Sequence, residues 1–589
     1  MPSGKLTASI FVLSIVLVSL APLQANAYTY TAHIGLLAVT DHSGEVIPAD
    51  VTVSRGSSGG LVLQPKQYIH PSVLYSTRVG YVLASLLNHL SPSNVYTRVF
   101  IHTNTEVQGP SASGFLASTI YLGIRGIYPR NDTTMTGMIS LTGLILPVAG
   151  IKYKVEAAAR AGYHRVILPY GENVSNKTIG GAPIIVLHAC SVEQAIMDLA
   201  SAPLKIASYN VSYVNSSIRT MIHDYINVSV FANYTKMFLK SLRLLLREYN
   251  GEDKNVYNKL AELAQRALSN GDSYSAASIA FYSLVNIAER VASIKGFSYV
   301  EEKMGISLNK EIELATKELR AASKTVLNGS RCYAWRVEAL AAASARLYLA
   351  KHVASSTNGD KVLALLRAIS ARSWIELANN VRGPQVPCTL LKETIKNYVD
   401  YASLSYQYIN SVLPFLARQL LMPDNRSVTA WLRDAHNALE NNDYLLALGL
   451  AENTLASFED VLVDYAGLPL SCVANHVYFL LKESSIEYPL PTLLYMDYAL
   501  TYAIKVSKII KKQNFASILG SDAATWALFG LFGWMTNQTL TPLNTGAGSS
   551  ELTYVKPSSM MPLVVEALVL GVIVYAVAGL ARRASSQKL

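Results

Sequence analysis

A serine and a lysine, each in a short segment containing glycine and proline, are the residues of this chain best suited to nucleophilic chemistry. The segment 109–114 reads Gly-Pro-Ser-Ala-Ser-Gly, and the segment 146–154 reads Leu-Pro-Val-Ala-Gly-Ile-Lys-Tyr-Lys. A lysine ammonium cannot accept a proton, so a Ser/Lys pair works only where the protein lowers the lysine pKa from about 10.4 toward neutrality. The candidate nucleophile is Ser111, and the candidate base is Lys152.

The residues around both segments suit these roles. Apolar residues surround Lys152, and no carboxylate occurs between Thr142 and Val155 to hold its ammonium charged. Gly109 and Gly114 flank a turn of small residues, which lets a substrate backbone approach and directs backbone N–H groups at a developing oxyanion. The other interpretation is a surface turn and a solvated lysine, which are common in proteins.

Four collinear stretches carry a family resemblance. They read Val-Gln-Gly-Pro-Ser-Ala-Ser at 107–113, Pro-Arg-Asn-Asp-Thr-Thr-Met-Thr-Gly at 129–137, Leu-Thr-Gly-Leu-Ile-Leu-Pro-Val-Ala-Gly-Ile-Lys at 141–152, and Ala-Ala-Ala-Arg-Ala-Gly-Tyr-His-Arg-Val-Ile-Leu-Pro at 157–169. In these stretches the chain, from about Tyr28 to Leu199, resembles the proteolytic domain of Lon proteases, which are Ser/Lys peptidases. The resemblance implies an α+β fold for this part of the chain.

The resemblance also implies roles for individual residues. Ser111 is expected to be the nucleophile and Lys152, the first of the two lysines, the general base. Thr136 is expected to orient the lysine amine, whereas Ser113 is expected not to act as nucleophile. Neither a metal nor a cofactor is required.

Backbone groups near the serine complete the expected site. The amides around Ser111, with Gly109 and Ala112 as supporting residues, are expected to hold the oxyanion. Two positions depart from the family pattern, because Gln108 and Pro110 stand where Lon enzymes usually carry an acidic residue. An alternative is therefore an inactive Lon-like binding or scaffold protein, and another is a protease that processes a narrow set of membrane proteins.

The rest of the chain predicts further domains. A Lon-like domain is expected at 28–200, a connector at 201–234 and an all-α domain at 235–520. Within the latter, the stretch 264–276 resembles the stretch 435–447, and each predicts a helix, a tight Asn-x-Asp turn and a second helix, as in tetratricopeptide-like hairpins.

The ends of the chain indicate export and membrane anchoring. Residues 1–27 have the pattern of a signal peptide, with Lys5, an apolar run and Ala-Asn-Ala at 25–27. Residues 541–559 predict a flexible tether, and 561–580 are mainly apolar and long enough to cross a bilayer. Arg582 and Arg583 begin a basic tail at 581–589, which predicts a cytoplasmic C-terminus and an ectodomain outside the cell membrane.

Composition agrees with an exported protein. Asn-x-Ser/Thr sequons occur at Asn131, Asn173, Asn176, Asn210, Asn215, Asn227, Asn233, Asn328, Asn425 and Asn537. Of the four cysteines, Cys332 and Cys388 are the expected disulfide pair, since both fall in the helical region. The net charge of +10 is spread along the chain without a nucleic-acid-binding motif.

Lon enzymes usually couple unfolding to cleavage through an ATPase module, but the sequence contains no Gly-x4-Gly-Lys-Ser/Thr loop. The chain also resembles membrane-anchored archaeal Lon-like serine proteases without that module. The expected function is ATP-independent endopeptidase activity on flexible or unfolded extracytoplasmic polypeptides. A homo-oligomeric ring is a common assembly of Lon domains, and the sequence leaves the oligomeric state open.

Overall fold

The structure is a computed structural model that describes residues 29–535 apart from residues 41–42, 57, 175–176, 180–181, 205, 207–208, 355–356, 417–424, 485 and 487. All the described residues belong to one compact unit. The predicted signal peptide, tether, membrane span and cytoplasmic tail lie outside the described residues.

Two four-stranded sheets form the framework of the α+β part. The strands of this part are β1 (Thr29–Val39), β2 (Gly44–Arg55), β3 (Gly60–Gln64), β4 (Val95–Ile101), β5 (Thr133–Met135), β6 (Met138–Ile139), β7 (Ile145–Leu146), β8 (Arg165–Pro169), β9 (Lys177–Ile179) and β10 (Ala182–Ala189). The first sheet has the order β1-β2-β4-β3, with β3 and β4 parallel and the other neighbours antiparallel. The second has the order β5-β8-β10-β9, in which β5, β8 and β10 are parallel and β9 is antiparallel.

Alternating side chains explain why β4 forms a strand with one buried face. Val95, Thr97, Val99 and Ile101 are buried, whereas the residues between them point away from the core. The helices of this part are α1 (Pro71–Leu86), α2 (Ser113–Ile124), α3 (Ile151–Arg160) and α4 (Val192–Leu199). Every residue of α2 is buried, and this helix packs against α1 and β2. The α+β class predicted for this part is confirmed.

Helices make up most of the remaining described chain. They are α5 (Val211–Tyr225), α6 (Val230–Glu248), α7 (Lys254–Ser269), α8 (Ser273–Lys295), α9 (Phe297–Met304), α10 (Leu308–Ser323), α11 (Ala334–Val353), α12 (Asn358–Asn380), α13 (Cys388–Leu416), α14 (Asn425–Glu440), α15 (Tyr444–Ala466), α16 (Leu470–Glu483), α17 (Leu490–Tyr498), α18 (Ile504–Ile510) and α19 (Phe515–Leu531). Two short antiparallel strands, β11 (Arg331–Tyr333) before α11 and β12 (Gln385–Pro387) after α12, pair with each other. We call residues 211–535 the helical array. The predicted connector at 201–234 contains α5 and the first turn of α6.

The two similar stretches both form a helix, a turn and a helix. In the first, α7 ends at Ser269 and α8 begins at Ser273; in the second, α14 ends at Glu440 and α15 begins at Tyr444. The two turns have the same hydrogen bond. The amide of Asp272 donates to the carbonyl of Ala267 at 3.0 Å, and the amide of Asp443 donates to the carbonyl of Ala438 at 2.8 Å. The predicted helix–turn–helix form of both stretches is confirmed.

The described residues include one helical run with the length and composition of a membrane span. Phe515–Met535 has 21 residues and a mean hydropathy of 1.3, but 78% of its apolar window is buried inside the structure. Burial of this kind is typical of a core helix. This run is distinct from the span predicted at 561–580.

The α+β part and the helical array share a continuous apolar core, which extends in sequence from Tyr30 to Met535. Two disulfides reinforce the structure. Cys332 and Cys388, the predicted pair, are bonded with their Cα atoms 5.0 Å apart. The second disulfide joins Cys190, at the end of β10, to Cys472 on α16.

Candidate active site

The predicted nucleophile lies in the turn that leads into the buried helix α2. The backbone of Gly109 has φ +85°, a conformation that favours glycine, and its amide donates to the side chain of Ser72 at 2.9 Å. The carbonyl of Ser111 accepts a hydrogen bond from the Gly137 amide at 2.9 Å and from Thr136 Oγ1 at 3.2 Å. These bonds attach the serine turn to the segment that follows β5.

Backbone donors are available beside the serine. Ser111 and Ala112 are half-buried, and within the described chain their N–H groups donate to no other protein group. They lie at the N-terminal end of α2, where helix N–H groups lack intrahelical acceptors and favour negative charge. This part of the turn is suited to hold an oxyanion.

Ser113 is held in the interior by its own hydrogen bonds. Its hydroxyl donates to the carbonyl of Pro110 at 2.7 Å and accepts from the Ile139 amide at 2.9 Å. The side chain is buried and fixes the turn to the β6 strand. Its position agrees with the expectation that Ser113 is not the nucleophile.

The start of helix α3 is fixed by Gly150. Its φ of +73° is left-handed, and a Cβ atom there would lie 2.5 Å from a methyl group of Val39. The helix that follows buries Ile151, Lys154 and Val155 and exposes Lys152. This pattern is the three-to-four-residue periodicity of an amphipathic helix.

Lys152 therefore lacks the burial that the expected base needs. A general base needs a lysine that is neutral near neutral pH, and an exposed ammonium stays solvated and charged. Lys154 is 3% exposed, and its Nζ donates to Thr136 Oγ1 at 3.2 Å. Helical periodicity distinguishes the two lysines. Lys154 is three residues after the buried Ile151 and four before the buried Ala158, so it lies on the same buried face of the helix.

Burial gives Lys154 the electrostatics that a base requires. It lowers the pKa of Lys154 to about 8, and the carboxylate of Glu172 opposes this shift. Since Thr136 bonds to both Lys154 and the carbonyl of Ser111, the lysine amine is connected to the serine turn through a single side chain. The structure brings the predicted residues Ser111 and Thr136 together with Lys154.

Glu172 is a carboxylate near the site that lies outside the segment searched in the sequence. It follows β8 in a turn where Gly171 has φ +87°. Burial raises the pKa of Glu172, and a backbone hydrogen bond from Val148 and the charges of His188 and Lys154 oppose that rise. A local sequence window cannot reveal it, because its electrostatic interaction with Lys154 depends on how the chain turns after β8.

The helical array holds the segment between Thr136 and α3 through buried polar groups. Glu459 on α15 accepts hydrogen bonds from Ser140 Oγ at 2.7 Å, Thr142 Oγ1 at 2.6 Å and the Leu141 amide at 3.0 Å. Tyr401 on α13 donates to the carbonyl of Leu141. These bonds fix the connection between β6 and β7, which we call the 138–146 hairpin.

A buried histidine adds a second link between the two parts. His476 on α16 lies with Nδ1 3.0 Å from Glu193 Oε2 and Nε2 3.0 Å from the carbonyl of Thr142. Burial alone would lower the pKa of His476, but Glu193 and the Thr142 carbonyl outweigh it and raise the pKa. Cys472, four residues before His476 on α16, forms the disulfide with Cys190, which lies three residues before Glu193 in the chain.

Known proteins are similar in sequence to the part of the chain that contains this site. The model of the Lon protease (S16) C-terminal proteolytic domain matches residues 24–193. The chain is 30% identical to an archaeal Lon protease of Archaeoglobus fulgidus over 145 residues, which are 23% of this chain and 22% of that protein. It is 55% identical to a Lon protease of Methylocella silvestris over 65 residues, 11% of this chain and 8% of that protein.

A second archaeal Lon protease, from Pyrococcus abyssi, is 30% identical over 140 residues, 23% of this chain and 14% of that protein. The chain thus spans less than a quarter of the length of each of these relatives. The matched residues contain the serine turn, Thr136 and Lys154. Residues 24–193 of this chain are therefore a Lon-type proteolytic domain.

Proposed function

We propose that this chain is a serine endopeptidase in which Ser111 is the nucleophile and Lys154 the general base. The observation that carries the proposal is the buried Lys154 amine, bonded to Thr136 beside the serine turn, with a pKa lowered to about 8. At pH 8 about half of such a group is neutral and able to accept a proton. This replaces Lys152 with Lys154 in the expected dyad.

The reaction uses groups of this chain alone. Neutral Lys154 takes the Ser111 hydroxyl proton as the oxygen attacks a peptide carbonyl, and the N–H groups of Ser111 and Ala112 stabilise the oxyanion. The lysine ammonium then gives the proton to the leaving amine, which leaves an acyl-serine. Water attacks this ester with Lys154 again as base, and the carboxylate product and the free serine result.

We further propose that the substrates are flexible or unfolded polypeptides outside the cytoplasm and that cleavage needs no ATP. The two disulfides support an oxidising compartment. The signal-like N-terminus and the apolar stretch at 561–580 support attachment to the cell membrane with the proteolytic domain outside. The sequence contains no P-loop motif, which supports hydrolysis without nucleotide.

The test is cleavage of denatured casein by the full-length chain in detergent, with and without Mg-ATP. The wild type is expected to cleave equally in both conditions, and Ser111→Ala is expected to lose activity by about a thousandfold or more. Cleavage only with Mg-ATP would contradict the nucleotide independence. Absence of cleavage by the wild type in both conditions would contradict the peptidase and favour a binding or scaffold role.

Location is tested separately by protease protection in cells. A tag after residue 589 is expected to resist added protease in intact cells, whereas the proteolytic domain is expected to be digested. Digestion of the tag would contradict the proposed topology.

A further inference from the structure

Helix α6 carries four cations along one face. Lys236, Lys240, Arg243 and Arg247 follow one another at spacings of four, three and four residues, and all four side chains are exposed. They line a groove of about 280 Å³ together with Leu239, Leu244 and Gln265, the last on α7. We call this the basic groove.

These cations have no carboxylate partner. Among the described residues, no carboxylate oxygen lies within 4.0 Å of any of the four, whereas the neighbouring Glu248 of α6 is bonded to Lys295 at 2.7 Å. Arg243 instead donates to the side-chain oxygen of Gln265 at 3.2 Å. The exposed Glu262, one turn before Gln265, forms no ion pair with them. Among the described residues that line the groove, all the charged side chains are therefore cations.

Like charges at these spacings work against the helix that carries them. Residues three and four apart on a helix are neighbours, so each successive pair of cations repels. In the part of the chain that the structure describes, no protein group offsets this repulsion with an ion pair. A bound anion would do so.

We propose that the basic groove binds an acidic, extended segment of a polypeptide. The first and last cations, Lys236 and Arg247, are eleven residues apart on the helix, which is about 16 Å at 1.5 Å per residue. An extended chain covers that length with about five residues. The groove between α6 and α7 can hold such a chain beside the cations, and the half-buried Leu244 gives its side chains an apolar surface to pack on.

The biological role of the groove rests on the proposed function, because the bound acidic segment would be one part of a substrate that is cleaved at another part. Its binding test needs no catalysis. Full-length Ser111→Ala protein is titrated with a fluorescent peptide of alternating Glu and Gly, and a Gln and Gly peptide serves as comparison. The acidic peptide is expected to bind more tightly, and its affinity is expected to fall as salt is added.

The decisive variant replaces all four cations with Gln. It is expected to weaken binding of the acidic peptide about tenfold, the combined effect of four exposed ion pairs. The matched control replaces Arg320, Lys324, Lys351 and Lys392, which line a separate cleft, with Gln and changes the net charge by the same amount. The control is expected to keep most of the affinity.

Three results would overturn the proposal: no preference for the acidic peptide, an equal loss in the control, or binding to anionic lipid vesicles without binding of the peptide. Thermal unfolding checks that the groove variant is folded, and its midpoint is expected to be unchanged or raised because repulsion is relieved. If the Ser111→Ala protein binds the acidic peptide but the wild type does not cleave casein, only the proposed peptidase activity is contradicted. If the wild type cleaves casein but the acidic peptide does not bind, only the proposed role of the basic groove is contradicted.

Discussion

Burial of the Lys154 ammonium costs free energy of folding. Its pKa is about 8 in the folded chain and 10.5 as a free side chain, so below pH 8 the folded state holds a proton that burial disfavours. The cost is about 3 kcal/mol at pH 7, decreases as pH rises from 8 to 10.5, and vanishes above that range. The buried base thus reduces stability at neutral pH.

Replacement of this lysine by an apolar residue of similar length is expected to stabilise the protein. Lys154→Met should raise the free energy of unfolding at pH 7 by about 2 kcal/mol, because the desolvated charge is gone. Denaturant unfolding measures the change. The exposed Lys152→Met should alter it by less than about 0.5 kcal/mol, and a loss of stability in Lys154→Met would contradict the account.

Glu172 should set the pH range of activity. We expect kcat/KM to rise with pH through about 8, as Lys154 loses its proton and becomes a base. Glu172→Gln removes a negative charge that favours the ammonium, so the rise should move to lower pH. Steady-state rates across pH measure the shift.

The control for this shift is Glu156→Gln, which neutralises another carboxylate, on helix α3 itself. Its profile should match that of the wild type. A shift to higher pH in Glu172→Gln, or equal shifts in both variants, would contradict the role given to Glu172.

At the residue scale, the sequence was sufficient for Ser111, Ser113 and Thr136 to be placed in or beside one site. The sequence predicts Lys152 as the base, whereas burial favours Lys154, because both lysines follow the same glycine and only the rotation of α3 separates them. Glu172 could not be found from nearby sequence. Its electrostatic interaction with Lys154 depends on the parallel pairing of β8 and β10 and the turn after β8.

Among the elements, the 138–146 hairpin depends most on distant groups. Its polar atoms between β6 and β7 are satisfied by Glu459, more than 300 residues away in the chain. Thr136 precedes this hairpin and Lys154 follows it, so the hairpin positions both.

Removal of the Glu459 carboxylate should destabilise the fold and reduce activity. Glu459→Ala leaves three buried donors without their acceptor, which should lower the free energy of unfolding by about 3 kcal/mol or more. Thermal unfolding and casein cleavage measure both effects. Glu440→Ala, on the exposed end of α14, should change neither, and a similar stability in the two variants would contradict the role of Glu459.

The helix–turn–helix stretches were predictable because their signal is local: small residues and an Asn-x-Asp turn lie within thirteen residues of sequence. The attachment of the array to the hairpin was not. It is built from single buried residues on α13, α15 and α16, and nothing in their local sequence indicates a partner hundreds of residues away.

For the whole molecule, the Cys190–Cys472 disulfide joins the proteolytic domain to the helical array across a sequence separation of 282 residues. A double replacement by Ser should lower the free energy of unfolding by about 2–4 kcal/mol, mainly because the unfolded chain gains freedom. Thermal unfolding without reductant measures it. Free thiols at both positions in the wild-type protein, detected by alkylation and mass spectrometry, would contradict the bond.

The continuous core makes the proteolytic domain and the array one folded body, although the sequence predicts two domains with a connector. Composition changes near residue 200 because strands give way to helices. The sequence predicts that the apolar faces of the array helices are buried. It does not indicate that the α+β part covers some of these faces.

The central claim, that Lys154 and not Lys152 is the base for Ser111, is tested most directly by measurement of kcat/KM for Lys154→Ala and Lys152→Ala on the same peptide substrate. The account predicts that Lys154→Ala loses activity by about a thousandfold or more while Lys152→Ala stays within about twofold of the wild type. Full activity in Lys154→Ala, or loss only in Lys152→Ala, would contradict it.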